Sequence, residues 1–289
     1  VAIPLLQTTG KKMKQNYTTN EILIKAENIN LTYGDHKILR NINFEVKDIV
    51  RPDMQQGQVV ALIGRSGMGK SQLFNIISGL MPCQKNPNVS GCVMITSGPG
   101  TPLHPVTAGE VGIIPQNYIL FDHRTVYQNL VKGLKHCGKS HSAAEADEII
   151  KKHAEDFNLL EHLDKYPKQL SGGQKQRVSI IQQVLTNNKF ILLDEPFSGL
   201  DSMMIDKVIE LLLKISTLNE YNTLVIVSHD IQSAMAISDL VWVLAKEPDQ
   251  DGATITRTYD LKEMGLAWEP NIRKQVAFQE LVEKVKSEI

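Results

Sequence analysis

The chain has 289 residues and a formal net charge of −1, with 31 Lys and Arg against 32 Asp and Glu. That length supports a sizeable core, as one large domain or a domain plus a lobe, and the near-balanced charge excludes the broad basic field of a nucleic-acid binder. No apolar run approaches the roughly 18 residues of a membrane span, so the sequence predicts a soluble chain that reaches a membrane only through a partner.

Cys83, Cys92 and Cys137 are scattered, without CxxC spacing or nearby metal-type histidines. They read as reduced thiols of a cytosolic protein, not as a disulfide frame or a zinc site. Residues Val1 to Asn20 lack periodicity and read as a flexible tail; Val1 is expected to mark a processed or partial start, with Met13 a candidate initiator. Ile22 to Tyr33 reads as an edge strand, and Gly34 to Lys37 as a turn. Ile42, Phe44 and Val46 then alternate with polar residues as in a half-buried antiparallel strand, and Lys47 to Gln56, with Pro52, reads as a loop.

Val59 to Ile63 is a short apolar run, the pattern of a buried strand. It leads through Gly64-Arg65-Ser66-Gly67-Met68-Gly69-Lys70-Ser71 into the helical spacing that begins at Gln72. Strand, glycine-rich turn and helix start are the context of a phosphate-binding P-loop. The turn's backbone N–H groups and the helix N-terminus would cradle an anion. Lys70 would reach the β- and γ-phosphates of a nucleotide, and the Ser71 hydroxyl would ligate Mg²⁺.

Met81 to Pro105 is rich in turn formers, with one short strand over Cys92 to Ile95, and Val111 to Ile114 is another, ending at Pro115-Gln116. From about 117 to 186 the pattern turns helical. Ala146, Ile149, Ile150 and Ala154 share one face over Ser142 to Phe157, Leu159 to Leu163 forms a short helix, and Gln174 to Leu185 a longer one. Apolar runs return at Phe190 to Leu193, Leu224 to Val227 and Leu240 to Leu244, separated by helices at Asp201 to Leu218 and Ile231 to Ile237. Strands alternating with helices predict an α/β fold with a mainly parallel sheet, whose ligands sit at the carboxyl ends of the strands. Pro270 to Ile289 reads as a tail helix with Val276, Phe278, Leu281, Val282 and Val285 on its apolar face.

Two further elements carry chemistry. The strand ending Asp194-Glu195-Pro196 delivers two carboxylates, one suited to hold Mg²⁺ and one to orient an attacking water. Leu170-Ser171-Gly172-Gly173-Gln174 opens a helix that Ser171 can cap, with glycines that let an anion approach. Taken singly, a glycine turn, a polar strand end and a capped helix are ordinary features. Their order in one chain is not.

From about Ile22 to Val243 the chain resembles the nucleotide-binding subunit of ABC (ATP-binding cassette) transporters. The resemblance implies a P-loop NTPase (RecA-like) core with an antiparallel β subdomain and an inserted α-helical subdomain at about 117–186. It places an ATPase domain over 21–250 and an extension with a terminal helix over 251–289. It further implies that ATP and Mg²⁺ bind, and that Ser171, Gly172, Gly173 and Gln174 close on ATP held by the P-loop of a second subunit, taken to be an identical copy. Gln116 matches the glutamine that senses Mg²⁺ and the γ-phosphate where the membrane partner docks. Asp201, in Ser198-Gly199-Leu200-Asp201, matches the loop linking the two sites. His229 matches the histidine that holds the γ-phosphate and positions Glu195, and Tyr33 the aromatic that stacks on adenine. The site set is then Lys70, Glu195 and His229 for catalysis and Ser71, Gln116 and Asp194 for the metal. Tyr33, residues 64–72, Gln116, residues 171–174 and Asp201 would hold the nucleotide.

By the same resemblance the partners are transmembrane permease subunits and, through them, a solute-binding protein, at the cytoplasmic face of the membrane and without nucleic acid. Asp194 to Asp201 is similar to the nitrate/sulfonate/taurine-type importer group. The alternatives are a soluble ABC ATPase of translation or DNA repair, the ATPase of a split exporter or lipoprotein extractor, and a P-loop small-molecule kinase. The chain departs from the family pattern at Gln72, where a second hydroxyl is common, at Ile181-Gln182-Gln183, which replaces Ala-Arg-Ala, and in the long 47–56 loop.

Overall fold

A computed structural model describes residues 17–51, 57–98, 100–136, 140–186, 188–217, 222–267, 269 and 271–289. The expected tail over 1–16, the loop residues 52–56, Cys137, Leu218 and Pro270 lie outside these. The elements are β1 (Thr18–Tyr33), β2 (His36–Val50), β3 (Gln58–Ile63), α1 (Lys70–Ile77), β4 (Val89–Ile95), β5 (His104–Pro105), β6 (Val111–Ile114) and α2 (Val126–Lys135). They continue with α3 (Ala143–Asp156), α4 (Gly172–Leu185), β7 (Phe190–Asp194), α5 (Ser202–Ser216), β8 (Thr223–Ser228), α6 (Ile231–Met235), β9 (Leu240–Lys246), β10 (Ala253–Asp260) and α7 (Val276–Glu288).

One ten-stranded sheet runs β5-β4-β1-β2-β10-β9-β3-β8-β7-β6. Strands β9, β3, β8, β7 and β6 are mutually parallel, as the βα alternation predicts, and β10-β9, β1-β2, β1-β4 and β4-β5 are antiparallel. Strand β3 is buried along its whole length because both of its faces are covered. Val59, Ala61 and Ile63 join a core with residues from α2 to α7, while Val60 and Leu62 pack with α1 residues Leu73, Phe74, Ile76 and Ile77.

Several boundaries differ from the sequence expectation. Strand β1 begins at Thr18, inside the stretch read as a tail, and it is not an edge, because β4 pairs along its outer side. Strand β2 runs on to Val50 through residues read as loop, since Ile49 stays buried. It also begins at His36, which shortens the expected turn to Gly34-Asp35. Helix α2 and strand β10 have no counterpart in the sequence expectation. The Thr125-x-x-Gln128 capping box marks the start of α2, and Asp251-Gly252 before a Thr-rich run marks β10.

The β1–β2 pair hides its register behind a parity change. Buried positions move from even (Ile24, Ala26) to odd (Ile29, Leu31) on β1, and from odd (Leu39) to even (Ile42, Phe44, Val46) on β2. The changes fall at Asn28 (φ 51°) and Asn41 (φ 45°), which adopt the left-handed conformation that asparagine tolerates. Two more asparagines clasp them: the Asn28 N–H donates to Asn43 Oδ1 and the Asn41 N–H to Asn30 Oδ1, each at 2.9 Å.

Where the antiparallel and parallel portions meet, Trp242 of β9 lies 4.2 Å from the Phe44 ring of β2, centroid to centroid, and is 1% exposed. Trp242→Ala is expected to cost about 3–5 kcal/mol, read as a lower urea midpoint. A midpoint equal to that of the parent would show that the junction does not depend on this ring.

Candidate functional site

The parallel register decides where the chemistry falls. Ile63 pairs with Ser228, Asp194 with Val227, and Ile114 with Leu193. The residues that follow β3, β8, β7 and β6 are the glycine-rich loop, His229, Glu195 and Pro115-Gln116, so four segments distant in sequence emerge side by side. Together they line a cleft of about 580 Å³ with Tyr33, Ile38, Ser66, Gly67, Gly69, Lys70, Ser71, Gln72, Gln116, Asp194, Glu195 and His229.

Backbone constraints fix the loop. A Cβ on Gly64 would lie 2.5 Å from the Leu244 carbonyl oxygen of β9, so only glycine lets the loop leave β3 there. Gly69 (φ 88°) caps α1, and a Cβ on it would meet Ile38 and Leu39 of β2 at 3.0 Å. Lys70 folds back so that Nζ donates to the carbonyls of Gly64 (2.7 Å) and Arg65 (3.1 Å). Burial lowers the Lys70 ammonium below its ordinary value, opposed by the Glu195 and Asp194 carboxylates. Met68 packs against the core and does not line the cleft.

Across the cleft, Glu195 has φ 50° just ahead of Pro196, a costly conformation for a non-glycine residue. Its N–H donates to the Val227 carbonyl at 2.8 Å, which ties it to β8. Three donors converge on Oε2: the Ser228 hydroxyl (3.2 Å), the His229 backbone N–H (3.1 Å) and His229 Nδ1 (2.8 Å). Because a carboxylate only accepts, His229 carries its proton on Nδ1 here. Burial raises the Asp194 carboxyl above its ordinary range; Glu195 adds to this and Lys70 opposes it. Gln116 Nε2 donates to the Ser198 hydroxyl at 3.2 Å.

The structure therefore gathers Lys70, Ser71, Gln116, Asp194, Glu195, His229 and Tyr33 at one cleft, but not the whole expected set. Ser171, Gly172, Gly173 and Gln174 open α4 away from it, and Asp201 caps α5 by accepting from the Met204 N–H at 2.9 Å. Ile38 lines the cleft without having been expected. It is the third residue past the turn that follows Tyr33, on a strand whose alternation points only to the core. Gln182 and Gln183, the departures in α4, have packing partners: Gln182 Nε2 donates to the Asn129 carbonyl at 3.3 Å, and a Cβ on Gly112 would lie 3.0 Å from Gln183 Oε1.

A cleft with a glycine-rich anion cradle, a buried lysine and two carboxylates at the strand ends defines a P-loop nucleotide-hydrolysing protein. The profile of the family described as ABC transporter matches residues 48–198. The sulfate/thiosulfate import ATP-binding protein CysA of Pectobacterium atrosepticum is 36% identical over 242 residues, covering 82% of this chain and 68% of that protein. The bicarbonate transport ATP-binding protein CmpC of Synechocystis sp. is 34% identical over 234 residues, covering 78% of this chain and 32% of CmpC. For the maltose/maltodextrin import ATP-binding protein MalK of Photorhabdus laumondii the identity is 33% over 223 residues, 76% of this chain and 55% of MalK. Among solved structures, CbiO1 from Clostridium perfringens, part of the ABC transporter complex CbiONQ, superposes with a TM-score of 0.69 at 24% identity, over 93% of this chain and 96% of CbiO1. The chain belongs to the ABC transporter family and carries its ATP-binding, ATP-hydrolysing domain.

The raised Asp194 carboxyl has a thermodynamic consequence. Because its folded value lies above the unfolded one, its contribution to folding is full below the unfolded value and is lost as pH rises through the folded value. Asp194→Asn removes that loss. It is expected to raise the melting temperature of the nucleotide- and magnesium-free chain at neutral pH, with the gain vanishing in acid below the ordinary carboxylate range. An equal shift at both pH values would contradict the electrostatic origin.

Proposed function

We propose that this chain is the ATPase subunit of an importer, working as one of two copies that close on ATP and drive permease subunits at the cytoplasmic side of a membrane. The observation that carries this reading is the separation of Ser171 from the cleft. Ser171, Gly172, Gly173 and Gln174, a contiguous group of expected nucleotide contacts, sit on a surface that the same chain does not bring to its own P-loop. A second copy would supply them. The three relatives named above are import or transport ATP-binding proteins for sulfate or thiosulfate, bicarbonate and maltose or maltodextrin. What they share supports import and not one class of solute, so selectivity is assigned to other chains, the permease and any solute-binding protein it engages. Among the described residues no helix is long and apolar enough to cross a membrane, in keeping with a peripheral role.

In this reading Tyr33 stacks on the adenine, the loop from Gly64 to Gly69 wraps the phosphates, and Lys70 turns from its loop carbonyls toward the phosphate oxygens. The donors present fit a hard divalent cation: a hydroxyl at Ser71, an amide at Gln116 and a carboxylate at Asp194. Mg²⁺, when bound there, offsets the charge that develops on the phosphates. Glu195, held through Oε2 by Ser228 and His229, keeps Oε1 for the water. It takes a proton as the water oxygen bonds to the γ-phosphorus and the bond to the bridging oxygen breaks, giving ADP and phosphate. With a second proton on Nε2, His229 donates to the γ-phosphate while its Nδ1–H keeps Glu195. Loss of that group removes contacts made only in the closed pair, which then opens.

Glu195→Gln is expected to keep ATP binding while turnover falls about 10²–10⁴-fold; hydrolysis at the parent rate would remove Glu195 from this role. Ser171→Arg should spare ATP binding by the monomer and abolish ATP-dependent dimerisation in light scattering. Unchanged dimerisation would defeat the shared-site reading.

A further inference from the structure

The first turn of α4 is held by a side chain that no motif includes. Ser171 and Gln174 form a reciprocal cap: the Gln174 N–H donates to Ser171 Oγ (3.3 Å), and the Ser171 N–H donates to Gln174 Oε1 (2.8 Å). With Oε1 committed to that N–H, the amide's NH₂ faces the other way, toward His162 Nε2 at 2.8 Å. An amide nitrogen only donates, so His162 Nε2 must accept, which leaves the ring neutral with its proton on Nδ1. That Nδ1 is buried without a hydrogen-bond partner among the described residues.

The opposite arrangement is worse. A proton on Nε2 would require the amide to flip, would set its NH₂ against the Ser171 N–H, and would still leave Nδ1 buried and unpaired. The anchored amide fixes the tautomer through Nε2, at the cost of a buried Nδ1–H with no partner among the described residues. From these contacts we infer that His162 is a positioning residue for the nucleotide-facing turn of α4, acting through Gln174 to keep the cap closed. The closed cap ties the Ser171 and Gln174 N–H groups inward. It leaves the Gly172 and Gly173 N–H groups, orphans of the first helical turn, and the Ser171 hydroxyl proton for an anion. The 3₁₀ turn Leu160–His162 thereby sets the geometry of a helix that starts ten residues later.

This inference rests on the proposed shared site, and the experiment separates the two. His162→Leu keeps the bulk but removes the acceptor, while His162→Gln restores an acceptor near the Nε2 position. His162→Leu is expected to lower kcat on the order of ten- to a hundredfold and to weaken ATP-dependent dimerisation, with ATP binding by the monomer unchanged. His162→Gln should recover most of the rate. In a Gln174→Leu background, the His162→Leu effect should vanish, because the two act in series. Nitrogen-15 spectra of the histidine rings, assigned through the His162→Gln variant, should show the parent His162 protonated at Nδ1 and bare at Nε2. A proton at Nε2, or full turnover by His162→Leu alongside inactive Ser171→Arg, would overturn the role of His162 alone. Full turnover by Ser171→Arg itself would overturn the shared site beneath it.

Discussion

The fixed register of four parallel strands is the constraint on which the site depends. Apart from the terminal residues Asp194 and Ser228, the side chains of β6, β7, β8 and β3 line the core and not the cleft; what matters is that these strands end level with one another. With Asp194 opposite Val227 and Ile63 opposite Ser228, the next residue of each chain segment reaches the same edge. A slip of one residue would send each side chain to the opposite face, and on β3 the two faces pack against different partners, the core of α2 to α7 on one side and α1 on the other, which resists the exchange. Burial of aliphatic side chains thus sets the spacing of a lysine, two carboxylates and a histidine that contribute nothing to that burial.

The same edge concentrates electrostatic tension. Lys70 and Asp194 are both displaced from their ordinary values by burial, in the senses that disfavour their charged forms. Each partly relieves the other, and Lys70 adds two loop carbonyls as local partners. Glu195 shows the structural side of that tension: its left-handed backbone persists because β8 grips it through Val227, Ser228 and His229. Under the proposed function, a polyanion and a divalent cation bound here would satisfy the lysine and the carboxylates together.

Much of this was legible in the sequence because local chemistry and local geometry agree there. The strand, glycine turn and helix from Val59 onward need no distant partner to be recognised, and the strand that ends at Asp194 has an apolar run and a proline to bound it. What stayed hidden depends on pairings that a single strand does not announce. The parity changes at Asn28 and Asn41 blur the alternation of β1 and β2, and β1 reads as an edge in the sequence because nothing within it points to β4. Strand β10 has weak alternation and earns its place between β9 and β2 from its neighbours. Ile38 and His162 escaped for a related reason: an isoleucine in a strand and a histidine in a short turn carry no signal until their contacts are known.

The helical segment between β6 and β7 gives the proposed partner contacts a common frame. Asn129, fully buried in α2, accepts from the Phe121 N–H and donates to the carbonyls of Phe121, Arg124 and Thr125, so the stretch that follows Gln116 is clipped onto α2. Helix α2 in turn lies close against α4, where a Cβ on Gly133 would sit 2.4 Å from the Gln182 carbonyl oxygen, and Gln182 reaches back to the Asn129 carbonyl. The glutamine that touches the cleft and the helix that opens with Ser171 therefore attach to one packed unit. Under the proposed function, a shift of Gln116 on nucleotide binding and a shift of Ser171 toward a second subunit are two ends of the same displacement. A close-packed contact with no room for a methyl group transmits such a shift with little give.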